Sequence, residues 1–271
     1  MRKEIRTICY DETLKIEAYQ FEGITQPFPS HFHEYYVIGI IENGRRTMVC
    51  NDTRYDIETG DILLLNPNDT HSCFQSDNGI FNYRAFNIQL DVMNNYVKEI
   101  AGIDTCVRFT QNVIRDTEIF GSLRSLHKIL MNGNDDFEKE EILYFAFSQI
   151  FEEYVGIYDN EKTDYNLDIE KICGYINAHF AKRITLDELC KISALSKSTL
   201  IRSFTKAKGI TPYRYLENIR LAEAKKLLEG GALPIDAAIQ TGFSDQSHFT
   251  NFFKEYIGLS PKQYRDIFRQ E

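Results

Sequence analysis

The chain has 271 residues, 26% of them charged, and a formal net charge of −9 at pH 7. No run of eighteen apolar residues occurs, which excludes a helical membrane span, and the first twenty residues lack the apolar core of a secretory signal. A cytoplasmic protein of about two domains is expected, and its six cysteines, without CxxC or zinc-finger spacing, read as small buried hydrophobes.

Up to about residue 110 the chain reads as short strands. "PSHFHEYYVIG" opens an apolar run with His31 and His33, which a strand would point the same way because side chains alternate. "VIGIIENGRRTMVCND" carries Asn43-Gly44 between two runs, a hairpin signal. In "TRYDIETGDILLLNP", Thr59-Gly60-Asp61 reads as a turn and Pro67 as a stop, and "FNYRAFNIQL" is a further strand. Regularly spaced short strands predict a sandwich or small barrel.

After about residue 112 the period changes to that of a helix. Ile119, Leu123, Leu126, Ile129 and Leu130 fall on one face, Asn132-Gly133-Asn134-Asp135 breaks the pattern, and a second helix carries Ile142, Phe145, Ile150 and Tyr154. This helical hairpin, about 116–158, would pack on the barrel. The second helix is apolar over more than one face, so a homodimer through helices of about 118–130 and 138–158 is expected. Residues 159–167 are polar and aperiodic and read as a linker.

The last hundred residues differ in charge. From Asp168 onward there are 16 Lys+Arg against 12 Asp+Glu, a net of +4, while the remainder carries 15 against 28, a net of −13. They also nearly repeat themselves. Phe204, Gly209, Pro212 and Tyr215 recur 49 positions later as Phe253, Gly258, Pro261 and Tyr264. Upstream, Cys190, Ala194 and Ser196 recur 48 later as Ala238, Gly242 and Ser244.

Each copy fits a helix-turn-helix. A small residue sits where the second helix crosses, Ser196 or Ser244 offers a hydroxyl cap, and Gly209 or Gly258 ends the helix. Thr211-Pro212 and Ser260-Pro261 start the next helices. A helix closed by Gly230-Gly231 joins the copies, spanning about 24–27 Å, long enough to hold two recognition helices near one DNA turn apart. Groove-facing positions would be Lys197, Ser198, Ile201, Arg202 and Lys206 in the first copy. In the second they would be Gln246, Ser247, His248, Asn251 and Lys254, with the acidic Asp245 at the edge. Arg suits guanine, and Gln or Asn suits adenine.

On "LSKSTLIRSFTKAKGITPYRYL", "IRLAEAKKLL" and "IQTGFSDQSHFTNFFKEYIGLSPKQYR", residues 168–268 resemble the DNA-binding domain of the AraC/XylS family of transcription regulators. The resemblance implies two units reading adjacent major-groove segments. Asn251 departs from it, since the family often has a basic residue there. "SHFHEYYVIGIIENG" and "ETGDILLLNPNDTH" resemble the family's cupin-like sensor domain. In metal-bearing cupins a Glu follows His-x-His by three or four residues. His31, His33 and His71 match the three histidines, but Val37 and Ile38 stand where the Glu would be.

The expected fold is therefore multidomain: a cupin-like β-barrel with a helical hairpin (1–158), a linker (159–167) and an all-α double helix-turn-helix domain (168–271). The expected function is ligand-responsive DNA binding, with activation the commoner sign and RNA polymerase a partner. A small polar organic effector would meet His31, His33, Tyr35, Asn66 and His71, with no resident cofactor and no catalysis. The alternatives are a metal sensor using the three histidines, or a cupin metalloenzyme fused to a DNA-binding domain.

Overall fold

The computed structural model describes residues 4–76, 79–133, 137–157, 167–243 and 245–269. Of the expected linker only Leu167 falls among them, where it opens a helix, and Asn134-Asp135 and Ser244 lie outside the described residues. The chain divides into two compact units, Met1–Phe28 with His33–Asn160, and Glu161–Glu271 with Pro29–Phe32.

The sheet-rich part of the chain holds two main sheets. One runs in the order β1 (Ile5–Asp11), β2 (Ile16–Ile24), β9 (Phe81–Ile88), β4 (Tyr36–Asn43), β7 (Ile62–Leu65) and β11 (Val113–Ile114). The other runs β3 (Phe28–His31), β8 (His71–Gln75), β5 (Arg45–Cys50) and β6 (Thr53–Glu58). The larger sheet has two different faces because its side chains alternate. Ile16, Ala18, Ile38, Ile40, Ile62, Leu64, Phe86 and Ile88 form one face. They pack with α1 (Leu90–Ala101), α2 (Thr117–Asn132) and α3 (Glu138–Tyr154) in a single core. Each large apolar side chain sealed there contributes about 1.5–3 kcal/mol of transfer free energy.

Several connections differ from the sequence expectation. Asn43-Gly44 is not a hairpin, because β4 and β5 belong to different sheets. It is a corner, at which Gly44 has φ +100 and a Cβ would come within 2.3 Å of the Ile80 carbonyl oxygen. Thr59-Gly60-Asp61 likewise carries the chain from one sheet to the other. The tight hairpin is β5–β6, where Cys50 pairs with Thr53 around Asn51 and Asp52, both with positive φ (45 and 64). A two-residue turn of this kind needs left-handed backbone at both centres, which Asn and Asp tolerate.

Helix α1 falls where only strand and loop were expected. Its Val92, Met93, Tyr96 and Val97 are buried at helical spacing, and Gly102 caps it at φ 68. Helix α3 ends at Tyr154, short of the expected 158. The chain then pairs as β12 (Val155–Ile157) with β10 (Val107–Phe109). On α3 the buried stripe is Leu143, Ala146, Phe147, Ile150 and Phe151, while Phe145 is turned outward.

The second unit is helical: α4 (Leu167–His179), α5 (Leu186–Ser193), α6 (Lys197–Lys208), α7 (Pro212–Glu229), α8 (Pro234–Gln240), α9 (Gln246–Ile257) and α10 (Pro261–Ile267). The repeat is visible in its punctuation. Leu200 and Phe204 in one copy, and Phe249 and Phe253 in the other, are fully buried. Ser196, Thr211 and Ser260 each accept a backbone N–H three residues on. Gly209 and Gly258 end α6 and α9 at φ 69 and 89. The second copy changes one detail. Asp245, not Ser244, caps α9 by accepting from the His248 amide, so the acid expected at the groove edge is a capping group.

Candidate functional site

Strand register defines the inner face of the larger sheet. Tyr10 opposes Glu17, Glu17 opposes Asn87, Asn87 opposes Val37, and Val37 opposes Leu65. These residues alternate with the core-facing set and so share the opposite face. Tyr83 opposes Phe21 and Ile41 on that face, and its ring lies across Gly39, where a Cβ would be 2.3 Å from its hydroxyl. Burial pushes the Tyr83 phenol well above its ordinary range, and Cys73 and Tyr35 add to the effect. In the smaller sheet His71 opposes Cys50, and Cys73 opposes Met48.

The predicted histidines come together. His33 stacks on Tyr35 with ring centroids 4.8 Å apart, and His71 lies 5.1 Å from His33. One ring nitrogen from each of His31, His33 and His71 lies within 4.8 Å of the others. Tautomers follow from the partners. His31 Nδ1 is 2.7 Å from the Pro29 carbonyl oxygen, and His71 Nδ1 is 2.9 Å from that of Asp69. A carbonyl only accepts, so each Nδ1 carries the proton, and Nε2 is the acceptor or ligand atom of the neutral ring. Burial lowers the His71 pKa, and the Asp69 carbonyl and carboxylate oppose that shift.

Asn66 does not join this group. Its amide donates to Asp69 Oδ2 (3.0 Å) and to the Phe109 carbonyl (3.2 Å), and its Oδ1 accepts from the Phe109 amide (2.7 Å). With those bonds it holds the loop after β7 against β10, so its part is structural. Asp69 is the hub of this region, accepting from Asn51, Asn66 and Arg108. Tyr36 points away from Tyr35 as expected, its hydroxyl donating to the Val107 carbonyl at 2.7 Å. The sequence reading did not single out Glu17, Asn87, Tyr10 and Tyr83, which strand register puts on this face. Period-two alternation along β2 and β9 was the available signal.

A metal would find three imidazoles here. Ligands at about 2.0–2.1 Å around tetrahedral zinc stand roughly 3.3 Å apart, closer than the widest spacing in the cluster. No carboxylate stands at the expected fourth place: Val37 is an apolar residue of the inner face, and Ile38 belongs to the core.

In the helical unit, Lys197, Ser198, Ile201, Arg202 and Lys206 are all exposed on one side of α6. Lys197 is engaged by Asp187 of α5, Nζ to Oδ1 at 2.7 Å, and the pair holds the Asp187 carboxyl below its ordinary range. On α9, Gln246, Ser247, His248 and Asn251 are exposed. The His248 ring leans back on Phe243, centroids 5.8 Å apart, which sets it apart from the other three.

A model of the AraC-like ligand binding domain matches residues 14–147, and one of a helix-turn-helix domain matches residues 189–267. The HTH-type transcriptional regulator YbfI of Bacillus subtilis (strain 168) is 46% identical over 272 aligned positions, covering 100% of this chain and 99% of its own. The chain belongs to the AraC family of transcription regulators. The HTH-type transcriptional activator RhaS of Klebsiella pneumoniae (strain 342) is 26% identical over 88% of this chain and 87% of its own. ToxT from Vibrio cholerae O395 shares the fold, with TM-score 0.54, 16% identity, and coverage of 94% of this chain and 99% of that one. The sheet-rich unit thus corresponds to a ligand-binding domain and the helical unit to a DNA-binding domain. No described helix is long and apolar enough to cross a membrane.

Proposed function

We propose that this regulator activates transcription when a small polar organic molecule binds the barrel against His31, His33, Tyr35 and His71. The observation that carries the reading is the His71–His33–Tyr35 ring contact. It offers flat aromatic surface and imidazole nitrogens together, the composition of a small-molecule site. Binding shifts an equilibrium between states of the protein by its differential affinity for them. Lys197, Ser198, Ile201, Arg202, Lys206, Gln246, Ser247, His248 and Asn251 contact promoter DNA, and RNA polymerase receives the output. The sensing domain is residues 1–158, the linker 159–167 and the DNA-binding domain 168–271. The protein works in the cytoplasm as a homodimer through α2 and α3, a role supported by the exposure of Phe137, Tyr144 and Phe145. The test is a thermal-shift screen of metabolites on the full chain, since a ligand that binds only the native state raises its midpoint. A hit unaffected by His33→Ala and by His71→Ala would refute the site.

One observation favours a second reading, in which a divalent transition metal is the signal. The three ring nitrogens within 4.8 Å, with Nδ1 of His31 and His71 committed to carbonyls, present Nε2 as ligand atoms. Metal analysis of the purified chain separates the readings. Stoichiometric metal lost with His33→Ala supports the second, and a metal-free chain that keeps its effector response supports the first.

A further inference from the structure

Residues 180–185 join α4 to α5, ahead of the first recognition helix. The start of this loop is held by its backbone. From α7, Arg220 donates through Nε to the Phe180 carbonyl (2.8 Å) and through Nη2 to the Lys182 carbonyl (2.9 Å). The intervening Ala181 carbonyl oxygen lies where a Cβ on Gly242 would meet it at 2.6 Å, so the loop also packs on the turn that precedes α9. A loop fixed in this way has little freedom left to lose when it meets a partner. The residue it presents next is Arg183. Arg183 is exposed, and no hydrogen bond or ion pair among the described residues holds its guanidinium. Glu188, an acid within its electrostatic reach, is already bonded by the Thr185 amide and hydroxyl (2.7 and 2.9 Å).

Two clefts locate Arg183 on the surface of the helical unit. One is lined by Arg183, Tyr213, Gly242 and His248, and so reaches the exposed start of α9. The other is lined by Tyr213 and Ile201, and so reaches the exposed side of α6. Tyr213, which is 60% exposed, is common to both. Arg183 and Tyr213 therefore stand on the strip between the two helices proposed to enter the major groove. Glu217 also lines the first cleft, but it is buried and bonded by Arg214 Nη1 at 3.0 Å, so its charge is met within the protein.

A duplex that offers successive major-groove segments to α6 and α9 lays the minor groove between them over this strip. That groove is bordered by phosphates, whose oxygens suit the planar fork of a guanidinium. We infer that Arg183 is a third DNA contact, a clamp on the phosphate backbone between the two major-groove segments. The inference rests on the reading that α6 and α9 face the grooves. The loop needs no rearrangement to make this contact, because Arg220 and the packing at Gly242 already fix it.

The test uses the full chain and a duplex that it enriches from a random-sequence pool, with two selected blocks flanking a spacer. Fluorescence anisotropy over a salt series gives the affinity and its salt slope. Arg183→Ala should reduce the slope by about 0.9, the share of one phosphate, which amounts to about eightfold in affinity between 1 M and 0.1 M salt. Arg183→Lys, which keeps the charge, should restore most of the slope. Arg54→Ala, which removes the same charge from the sheet-rich part of the chain, should leave it unchanged. Replacing the spacer phosphates one at a time by uncharged methylphosphonate should weaken the wild type at one or two positions and leave Arg183→Ala unaffected there. A slope unchanged by Arg183→Ala overturns the inference. So does an equal loss with Arg54→Ala, or a methylphosphonate penalty that survives the substitution. A preference for spacer sequence that depends on Arg183, with no methylphosphonate effect, assigns it to the minor-groove floor and overturns the phosphate clamp. Arg202→Ala and Gln246→Ala on the same duplex keep the two ideas apart. Binding that needs Arg202 but not Arg183 defeats this inference alone. A pool that yields no duplex, or binding indifferent to both Arg202 and Gln246, defeats the groove reading and this inference with it.

Discussion

Replacing Gly242 with alanine should disable the second helix-turn-helix more than the first. Gly242 has φ +81, and a Cβ there would lie 2.6 Å from the carbonyl oxygen of Ala181, just beyond α4. The equivalent residue of the first copy is Ala194, at φ +55, so left-handed backbone alone does not demand glycine. That conformation costs an alanine about 1–2 kcal/mol. The contact adds to it, because ordinary carbon–oxygen approach needs nearly 1 Å more room, and the obstacle is backbone that cannot rotate away. A total of about 2–4 kcal/mol is expected, in the range of core overpacking. Urea denaturation should show a lowered midpoint at unchanged slope. Footprinting should show lost protection of the operator segment that α9 is proposed to read. A Gly242→Ala protein within about 0.5 kcal/mol of wild type would refute the packing argument.

Arg202→Ala and Gln246→Ala should each weaken promoter binding by about 1–3 kcal/mol if they read base edges, checked by fluorescence anisotropy against matched base substitutions. Asp187→Asn should tighten DNA binding at low salt by releasing Lys197, and the gain should vanish when Lys197 is also changed to alanine. His127 is buried on α2, its Nε2–H donating to the Tyr19 carbonyl at 2.7 Å, and burial brings its pKa down to about 4. The unfolded chain takes up this proton near pH 6.5 and the folded chain near 4, so stability should fall as pH drops through that window. The loss is at most about 3 kcal/mol, and His127→Gln should flatten the urea midpoint against pH. On the proposed α2–α3 homodimer, Phe145→Glu should shift the full chain toward monomer in sedimentation without lowering its melting midpoint.

The helical unit was legible because its signals are local. Ser196, Gly209, Thr211-Pro212, Ser260-Pro261 and the Phe204/Phe253 pair each act within a few residues. A repeated string of them leaves little freedom. The cap expected at Ser244 is supplied by Asp245, because one residue is inserted in that turn. The barrel was harder because its pairings are non-local. Asn43-Gly44 has hairpin chemistry, but only the burial of Ile38, Ile40, Arg46 and Met48 on different sheets makes it a corner. Helix α1 was missed because it follows β9 with only Gln89 between them. The histidine cluster was legible from His-x-His. Glu17 and Asn87 were not singled out: alternation along β2 and β9 gives each a face, but only strand register brings the two together.

The two caps of the recognition helices, Ser196 and Asp245, make the two halves of the DNA-binding domain electrically unequal. Helix α6 brings Arg202 and Lys206 to its exposed side behind a neutral cap, with Lys197 paired to Asp187. Helix α9 brings Gln246 and Asn251 behind an acidic cap, and its exposed Lys254 stands in the last turn, far from that cap. On the contacts proposed above, counterion release would belong more to the first half than to the second, whose part would be hydrogen bonds that salt hardly touches. The protein's discrimination between operator and bulk DNA should then sharpen as salt rises, even as its total affinity falls.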